Sequence, residues 1–589
     1  MLGSADSHRR PGAAPAGGGN RPSSPRPEGP SRARSSEDAA GTGSEPRRWH
    51  RLALAVSVFL LFYAYAVALQ QWNGAFHAEL SGESDEAAHF VTGLMAHDYV
   101  SRGFPGAPVA FARDFYLHYP KVAIGHWPPL MYVLLAAWML FFPATIQSVI
   151  FLMALLAALL AYTLYRTVLR EFRSCTLAIP GGLLMLSIPL TERFGGLVMA
   201  DLPVALWMIW ATLAWARYLD TERSRHVFLF GLLAALAILT KGDGYLLVLL
   251  PLLTIPGARR WRLLRSPSLW LSAAFVAAVC LPWTIYTMKL VTPTMQSAPG
   301  WAFVARALPF YIFQLKTATG LLLFSLGLLG ILVCFLPAFS SPRPRGLWFS
   351  MAALLIADVV FHAVVPAGLE PRYLISATFP VLLFAAEGAR WLCRLPLPIV
   401  RRPIPVSAAA LVFIVLFAAF PFRVTPKYSF GFAQAATDIL ADPTLAHSAV
   451  LCSSDRDGEG LLISEMAMRE RRNGHYILRA SKMLAVSDWN GSGYRLRLNT
   501  SGEINQLLDD LPVDVVVIDE TPGVLHYQHN DLLLRAMEEP GWRLANVYPK
   551  TAAGMAPRAR IEVYRRNGIA ARSFDPNRLS FRDLVKSLE

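Results

Sequence analysis

The sequence predicts a polytopic α-helical membrane protein of about 11–13 spans that ends in an extracytoplasmic α/β domain. Three observations predict it. The 589 residues are 54% hydrophobic and only 16% charged, whereas an ordinary soluble domain carries about 25% charged residues. Apolar runs recur twelve times between residues 53 and 421, several of them as long as the roughly 20 residues that a bilayer core requires. After Pro426 the pattern changes, and short β-rich runs alternate with helical ones.

In chain order, residues 1–50 come first. They are rich in Gly, Pro, Ser, Ala and Arg and hold almost nothing large to bury, so disorder is expected there. No small-residue cleavage site follows the first apolar run, which excludes a signal peptide. The multi-span region, 51–424, holds the apolar runs 53–69, 127–142, 146–165, 175–190, 202–219, 226–240, 244–257, 269–288, 318–337, 347–366, 372–392 and 404–421. Arg clusters separate them, at Arg47/Arg48/Arg51, Arg166/Arg170/Arg173, Arg217/Arg223/Arg225, Arg259/Arg260/Arg262/Arg265, Arg343/Arg345 and Arg390/Arg394/Arg401/Arg402. Cytoplasmic loops collect Arg, so all six clusters are expected inside. Two crossings then separate successive clusters, provided that 127–142, opening on Trp127-Pro128-Pro129, dips in or lies along the interface. The expected count is eleven, with the N-terminus cytoplasmic and the tail outside.

Charge supports this orientation. The chain carries +14 overall: +4 in residues 1–51, +11 in 52–424 and −1 in 425–589. A nucleic-acid binder places its basic excess on a folded face; here the excess lies in loops between apolar runs. The five cysteines show no CxxC or metal spacing, which leaves free thiols and no disulfide framework.

The tail, 425–589, reads as a small α/β domain. Strands are expected at Ala449–Cys452, Val513–Ile518, Asn546–Tyr548 and Ile561–Tyr564, and helices at Gly460–Arg471 and Leu532–Glu539, around a mostly parallel sheet. It holds no GxGxxG and no P-loop. Asp455 and Asp457, and Asp519 with Glu520, follow strand ends, where open sheets bind ligands; as acidic loop residues they would serve solubility alone.

Several polar residues of the membrane region fall on its outer side. The first external loop, about 70–126, holds Glu83-Ser84-Asp85-Glu86-Ala87-Ala88-His89, read as the carboxylate-rich start of an amphipathic interfacial helix. Acids at a helix start also complement its dipole without further purpose. Asp201 opens the 202–219 run, with Glu192 and Arg193 just before it. Lys241 and Asp243, in Thr240-Lys241-Gly242-Asp243-Gly244, interrupt two runs, and the two glycines argue for a tight break where an ammonium can meet an anion. Glu370-Pro371-Arg372-Tyr373 opens the 372–392 run, and Arg is a natural bidentate clamp for phosphate. Each has a bland reading as a cap or anchor, but together they put two carboxylate groups, a Lys and an Arg on one membrane face. Ionisable groups at a membrane are costly and are retained for function.

These same residues carry a family resemblance. Asp85-Glu86-Ala87, His126-Trp127-Pro128-Pro129-Leu130, Met199-Ala200-Asp201-Leu202-Pro203, Leu239-Thr240-Lys241-Gly242 and Pro371-Arg372-Tyr373-Leu374 resemble, in order, motifs of the GT-C membrane glycosyltransferases. The resemblance is to their protein O-mannosyltransferase and aminoarabinose-transferase group, glycosyltransferase family 39. It covers roughly 50–395 and implies a GT-C transmembrane catalytic domain in the inner (plasma) membrane. It further implies inverting transfer of a sugar from a polyprenyl-phosphate donor to a lipid, glycan or protein acceptor. By the same carry-over Asp85 is the general base, Glu86 supports it, and Asp201 holds the site or a metal. His126, Lys241, Arg372 and Tyr373 would bind substrate. Trp127, standing between His126 and the proline pair, departs from the family pattern and puts the role of His126 in question.

Glu83, Asp201 and Glu192, with the Asp85/His89 pair, have the oxygen-rich chemistry of a divalent-metal site, although nothing in their spacing demands one. A flippase or transporter for lipid-linked saccharide is the alternative. Such proteins show internal repeats and mid-membrane breaks, and this sequence shows no clear repeat.

Overall fold

The computed structural model describes residues 45–123, 125–291, 297–336, 345–394, 406–419, 424, 426–427, 429–470, 474–486, 493–521, 527–552, 559–568 and 574. The expected disorder of 1–44 and the Arg343 and Arg401/Arg402 clusters lie outside them. The chain divides into two units, Met1–Ala55 and Val56–Glu589. In the first, the chain is helical from Glu45 onward.

Helices dominate the larger unit up to residue 419. Five are long and apolar enough to cross a membrane: Leu52–Trp72, Ile146–Phe172, Asp201–Thr221, Pro267–Lys289 and Gly346–Val364. Two bent pairs, Cys175–Ser187 with Pro189–Gly195 and Trp301–Thr319 with Leu321–Phe335, raise this to seven if each pair is one span. Three further expected crossings, 226–240, 244–257 and 404–421, fall on the shorter apolar helices Ser224–Thr240, Gly242–Gly257 and Ala408–Ala419, and 127–142, expected not to cross, on the short helix Leu130–Phe141.

Helix ends follow local chemistry. Thr145 caps Ile146–Phe172 by accepting from the Ser148 amide, and Arg173 ends that helix in the left-handed conformation at φ 53°. Gly320, at φ 79°, stands between Trp301–Thr319, a helix not expected from the sequence, and Leu321–Phe335, which takes up the expected 318–337 run; the two are bent by 111°. The helices Leu321–Phe335 and Ile375–Leu392 pack backbone to backbone. A Cβ on Gly330 would stand 1.9 Å from the Phe384 carbonyl oxygen, and one on Gly388 would stand 2.2 Å from that of Leu326. Lipid offers no hydrophobic drive between helices, so small residues that permit close approach supply the cohesion.

The helix Glu86–Ser101 corrects the interfacial expectation. Its first nine residues, Glu86 to Leu94, are buried, and it packs between Leu130–Phe141 and Arg456–Glu470. A helix covered on both sides has no face left for a membrane surface.

The tail forms a five-stranded sheet in the order Tyr476–Arg479, Ala449–Ser453, Val513–Asp519, Arg560–Arg566, Trp542–Pro549. The first three strands are parallel, and the last two pair antiparallel. The sheet is therefore mixed rather than mostly parallel. The chain crosses over through the helices Arg456–Glu470 and Ser501–Asp510 before its parallel strands, then returns as the hairpin-like Trp542–Arg566 pair. Val513–Asp519 is buried along its whole length, as a central strand covered on both faces must be. Thr500 and Glu503 form a capping box at Ser501–Asp510, a helix the apolar pattern did not reveal.

This tail is bound tightly to the first external loop. Lys427 Nζ donates to Glu86 Oε1 at 2.6 Å, Tyr119 Oη to Glu470 at 2.6 Å and the Ala433 amide to Glu79 at 2.8 Å. Asp519, expected as a ligand candidate, is instead buried against Lys550, Ser454 and Thr521, and Asp455 caps its own helix through the amides of Asp457 and Gly458.

Candidate active site

Four separate turns bring the site together. Asp85 and Glu83 lie at the start of Glu86–Ser101, Asp201 opens Asp201–Thr221, Lys241 and Asp243 follow Ser224–Thr240, and Arg372 and Tyr373 stand on the short turn Pro371–Leu374. The glycine break at 242–244 has a visible cause. A Cβ on Gly244 would meet the Ile238 amide nitrogen at 2.4 Å, so only glycine lets the chain fold back over the helix end. That fold-back carries Lys241 Nζ to 2.7 Å from Asp201 Oδ1 and 2.9 Å from Asp243 Oδ2.

Arg372 sits among three carboxylates. Its guanidinium nitrogens lie 3.8 Å from Glu83, 3.7 Å from Asp85 and 4.0 Å from Asp201. All are ion-pair distances beyond hydrogen-bond reach, and its buried Nε has no hydrogen-bond partner. The side chain is thus charge-balanced yet keeps its donors uncommitted. Glu83 is held by Arg193 at 2.7 Å; burial raises its carboxyl above the ordinary range, against the pull of Arg372 and Arg193. Tyr373 lies under Lys241, with Nζ 4.4 Å from the ring centre, a cation–π contact.

Asp85 differs from its neighbours in two ways. Its carboxylate is 34% exposed, against 21% for Glu83, 13% for Asp243 and 2% for Asp201. It also makes no side-chain hydrogen bond to the helix that it precedes, so the position is not explained as a cap. Around it stand His89, His126 and Trp127. The His89 ring lies 4.4 Å from Trp127 and its Nδ1 is 3.2 Å from the Tyr132 hydroxyl. Burial pushes the His89 imidazole down to about 4, although Asp85 and Asp201 draw it the other way. Burial also lowers the His126 imidazole, against Asp85. His126 packs edge-on against Trp127 at 4.6 Å and is separated by it from the proline turn.

Glu86 sits apart. Fully buried, it accepts from the amides of Gly82 and Val198, both at 3.0 Å, and from Lys427. Its oxygens are occupied with backbone amides and lysine. Glu192 is bound to Asn73 at 2.7 Å, away from Asp201. Among the described residues no three His, Cys, Asp or Glu side chains are grouped as a metal ion would need.

Sequence reading missed Lys427, which no local pattern marks, and the pair Asp358 and His362. The latter left a faint signal as an acid and a histidine four apart in an apolar run.

Comparison with known proteins follows the same lines. Residues 126–286 match the family described as dolichyl-phosphate-mannose-protein mannosyltransferase, a segment containing His126, Asp201 and Lys241. No curated protein matches the chain. Among solved structures, ArnT from Cupriavidus metallidurans bound to undecaprenyl phosphate is similar over 86% of this chain and 97% of its own, at 13% identity and TM-score 0.52. Its apo state gives 87%, 98%, 13% and 0.53. The archaeal oligosaccharyltransferase AglB from Archaeoglobus fulgidus, in complex with an inhibitory peptide and a dolichol-phosphate, is similar over 87% of this chain and 76% of its own, at 14% identity and TM-score 0.50. The fold is GT-C.

Proposed function

We propose that this membrane glycosyltransferase of GT-C fold moves a sugar from a polyprenyl-phosphate donor to an extracytoplasmic lipid, glycan or protein acceptor, with inversion. The observation that carries the reading is the pairing of an uncommitted Arg372 guanidinium with an exposed Asp85 carboxylate 3.7 Å away. A guanidinium with free donors suits a phosphate, and a carboxylate open to solvent suits an incoming hydroxyl. The structural neighbours support the donor class, one holding undecaprenyl phosphate and the other a dolichol-phosphate.

The steps follow from these groups. The acceptor oxygen attacks the anomeric carbon as Asp85 takes its proton, work typically worth 10²–10⁴-fold in rate. The bond from that carbon to the phosphate oxygen breaks, and its electron pair leaves with the carrier phosphate. Arg372 and Lys241 stabilise the charge that develops there. Attack opposite the leaving group inverts the anomeric centre. Tyr373 fixes the Lys241 ammonium from below, and Asp201 fixes it from the side. The six Arg clusters of the sequence support a cytoplasmic N-terminus and an extracytoplasmic site.

The test is direct. Purified protein is incubated with a labelled polyprenyl-phosphate sugar and a candidate acceptor, and release of free carrier phosphate is followed together with glycosylated product. Stoichiometric release and product support the reading. Carrier that crosses a vesicle membrane with its sugar still attached would overturn it in favour of a flippase.

A further inference from the structure

Lys241 presents a difficulty for any anion that seeks it. Its ammonium has three N–H donors; two face Asp201 and Asp243, at 2.7 and 2.9 Å, and the group lies against the Tyr373 ring. A phosphate that takes one of those two donors displaces the carboxylate that now faces it. Asp201 is 2% exposed and also neighbours Arg372, so it has little freedom to leave. Asp243 has an alternative.

Its second oxygen, Oδ1, lies 3.7 Å from Nε2 of His362. That nitrogen is buried and has no hydrogen-bond partner. A buried polar nitrogen without a partner is costly, so an orphan facing a carboxylate calls for a reason. Elsewhere the ring is held: Nδ1 donates to the Asp358 carbonyl at 2.9 Å and lies 3.0 Å from Asp358 Oδ1 as an ion pair without a hydrogen bond, while Ser376 donates to the other Asp358 oxygen. Tyr373 stacks on the imidazole at 4.8 Å and 18°. Asp358, His362 and Ser376 are all buried in helices that pack on each other.

We infer that His362 is a positioning residue that receives Asp243 when a donor phosphate takes its place on Lys241. Asp358 holds the ring so that Nε2 waits within 1 Å of hydrogen-bond distance, and Asp243 moves to it without being left as an unpaired buried charge. The inference rests on the proposed function only in taking Lys241 as a phosphate contact. Its signature is coupling: removing the receiver matters only while Asp243 has to move.

Binding of a free polyprenyl phosphate to the full-length protein in nanodiscs tests this apart from transfer. Four proteins are compared: wild type, His362→Phe, Asp243→Asn and the double variant. His362→Phe is expected to weaken binding about tenfold in the wild-type background and less than twofold beside Asp243→Asn, where no charged carboxylate needs a new partner. Equal effects in both backgrounds would overturn the inference and make His362 a packing residue. If His362→Phe does not fold, Ser376→Ala, which frees Asp358 and loosens the ring, is expected to weaken binding two- to threefold with the same dependence on Asp243; additivity there is equally fatal. A wild-type protein that fails to bind the lipid phosphate refutes the proposed donor itself, and binding without transfer refutes only the reaction.

Discussion

Lys427 Nζ lies 2.6 Å from Oε1 of Glu86, a buried ion pair between residues 341 positions apart. It fixes the turn that carries Asp85 to the first residues of the tail, and the same ammonium reaches the Gly196 carbonyl at 3.3 Å. The tail domain therefore sets the geometry of the first loop and, through it, the exposed carboxylate of the site.

Breaking that pair from one side should cost roughly 3–5 kcal/mol, because the remaining charge stays buried and alone. Lys427→Met is expected to lower the thermal unfolding midpoint and to abolish transfer. Adding Glu86→Gln should recover much of the stability, since neither charge then remains. Thermal unfolding of the two variants in detergent checks the order.

Asp85 and Arg372 should separate kinetically. Asp85→Asn is expected to lower kcat by about 10²–10⁴-fold with donor KM little changed, because the carboxylate acts on the acceptor proton. Arg372→Lys should raise donor KM as well as lower kcat, since an ammonium cannot reproduce the planar fork of a guanidinium on the bound or the departing phosphate. Steady-state kinetics with both substrates varied decides between them, and an unchanged donor KM in Arg372→Lys would break the division of roles.

Glu79 predicts a dependence of stability on pH. Burial pushes its carboxyl up to about 7, against the Ala433 amide that favours the ionised form. A group whose folded value is raised holds its proton longer in the folded state. Its contribution is therefore complete below the ordinary carboxylate range and is lost as pH rises to 7. The unfolding midpoint should fall between pH 5 and 7.5, and Glu79→Gln should flatten that slope.

Gly388 tests the helix contact beneath the site. A Cβ there would stand 2.2 Å from the Leu326 carbonyl oxygen and 3.0 Å from the Gly330 amide nitrogen, and backbone cannot step aside as a side chain can. Gly388→Ala should destabilise by about 1–3 kcal/mol, the usual range for overpacking, as read from thermal unfolding in detergent.

The apolar runs and the change of pattern after Pro426 were enough to predict helices, a membrane and an α/β tail, because hydropathy and periodicity are local properties of the chain. Local chemistry also marked Asp85, Asp201, Lys241 and Arg372, since charged residues beside apolar runs are conspicuous. What each neighbours was not legible. The break at Gly320, the antiparallel half of the sheet and the covering of Glu86–Ser101 on both sides all depend on packing partners far away in sequence. So does the fate of each carboxylate. Glu86 and Asp85 are adjacent in the chain and alike in chemistry, yet one is sealed against Lys427 and the other is left open beside Arg372. Sequence alone determined that charge would gather at one face of this protein. Only the tertiary structure, by burying one carboxylate and exposing the next, decided which of those charges is sealed and which is left open.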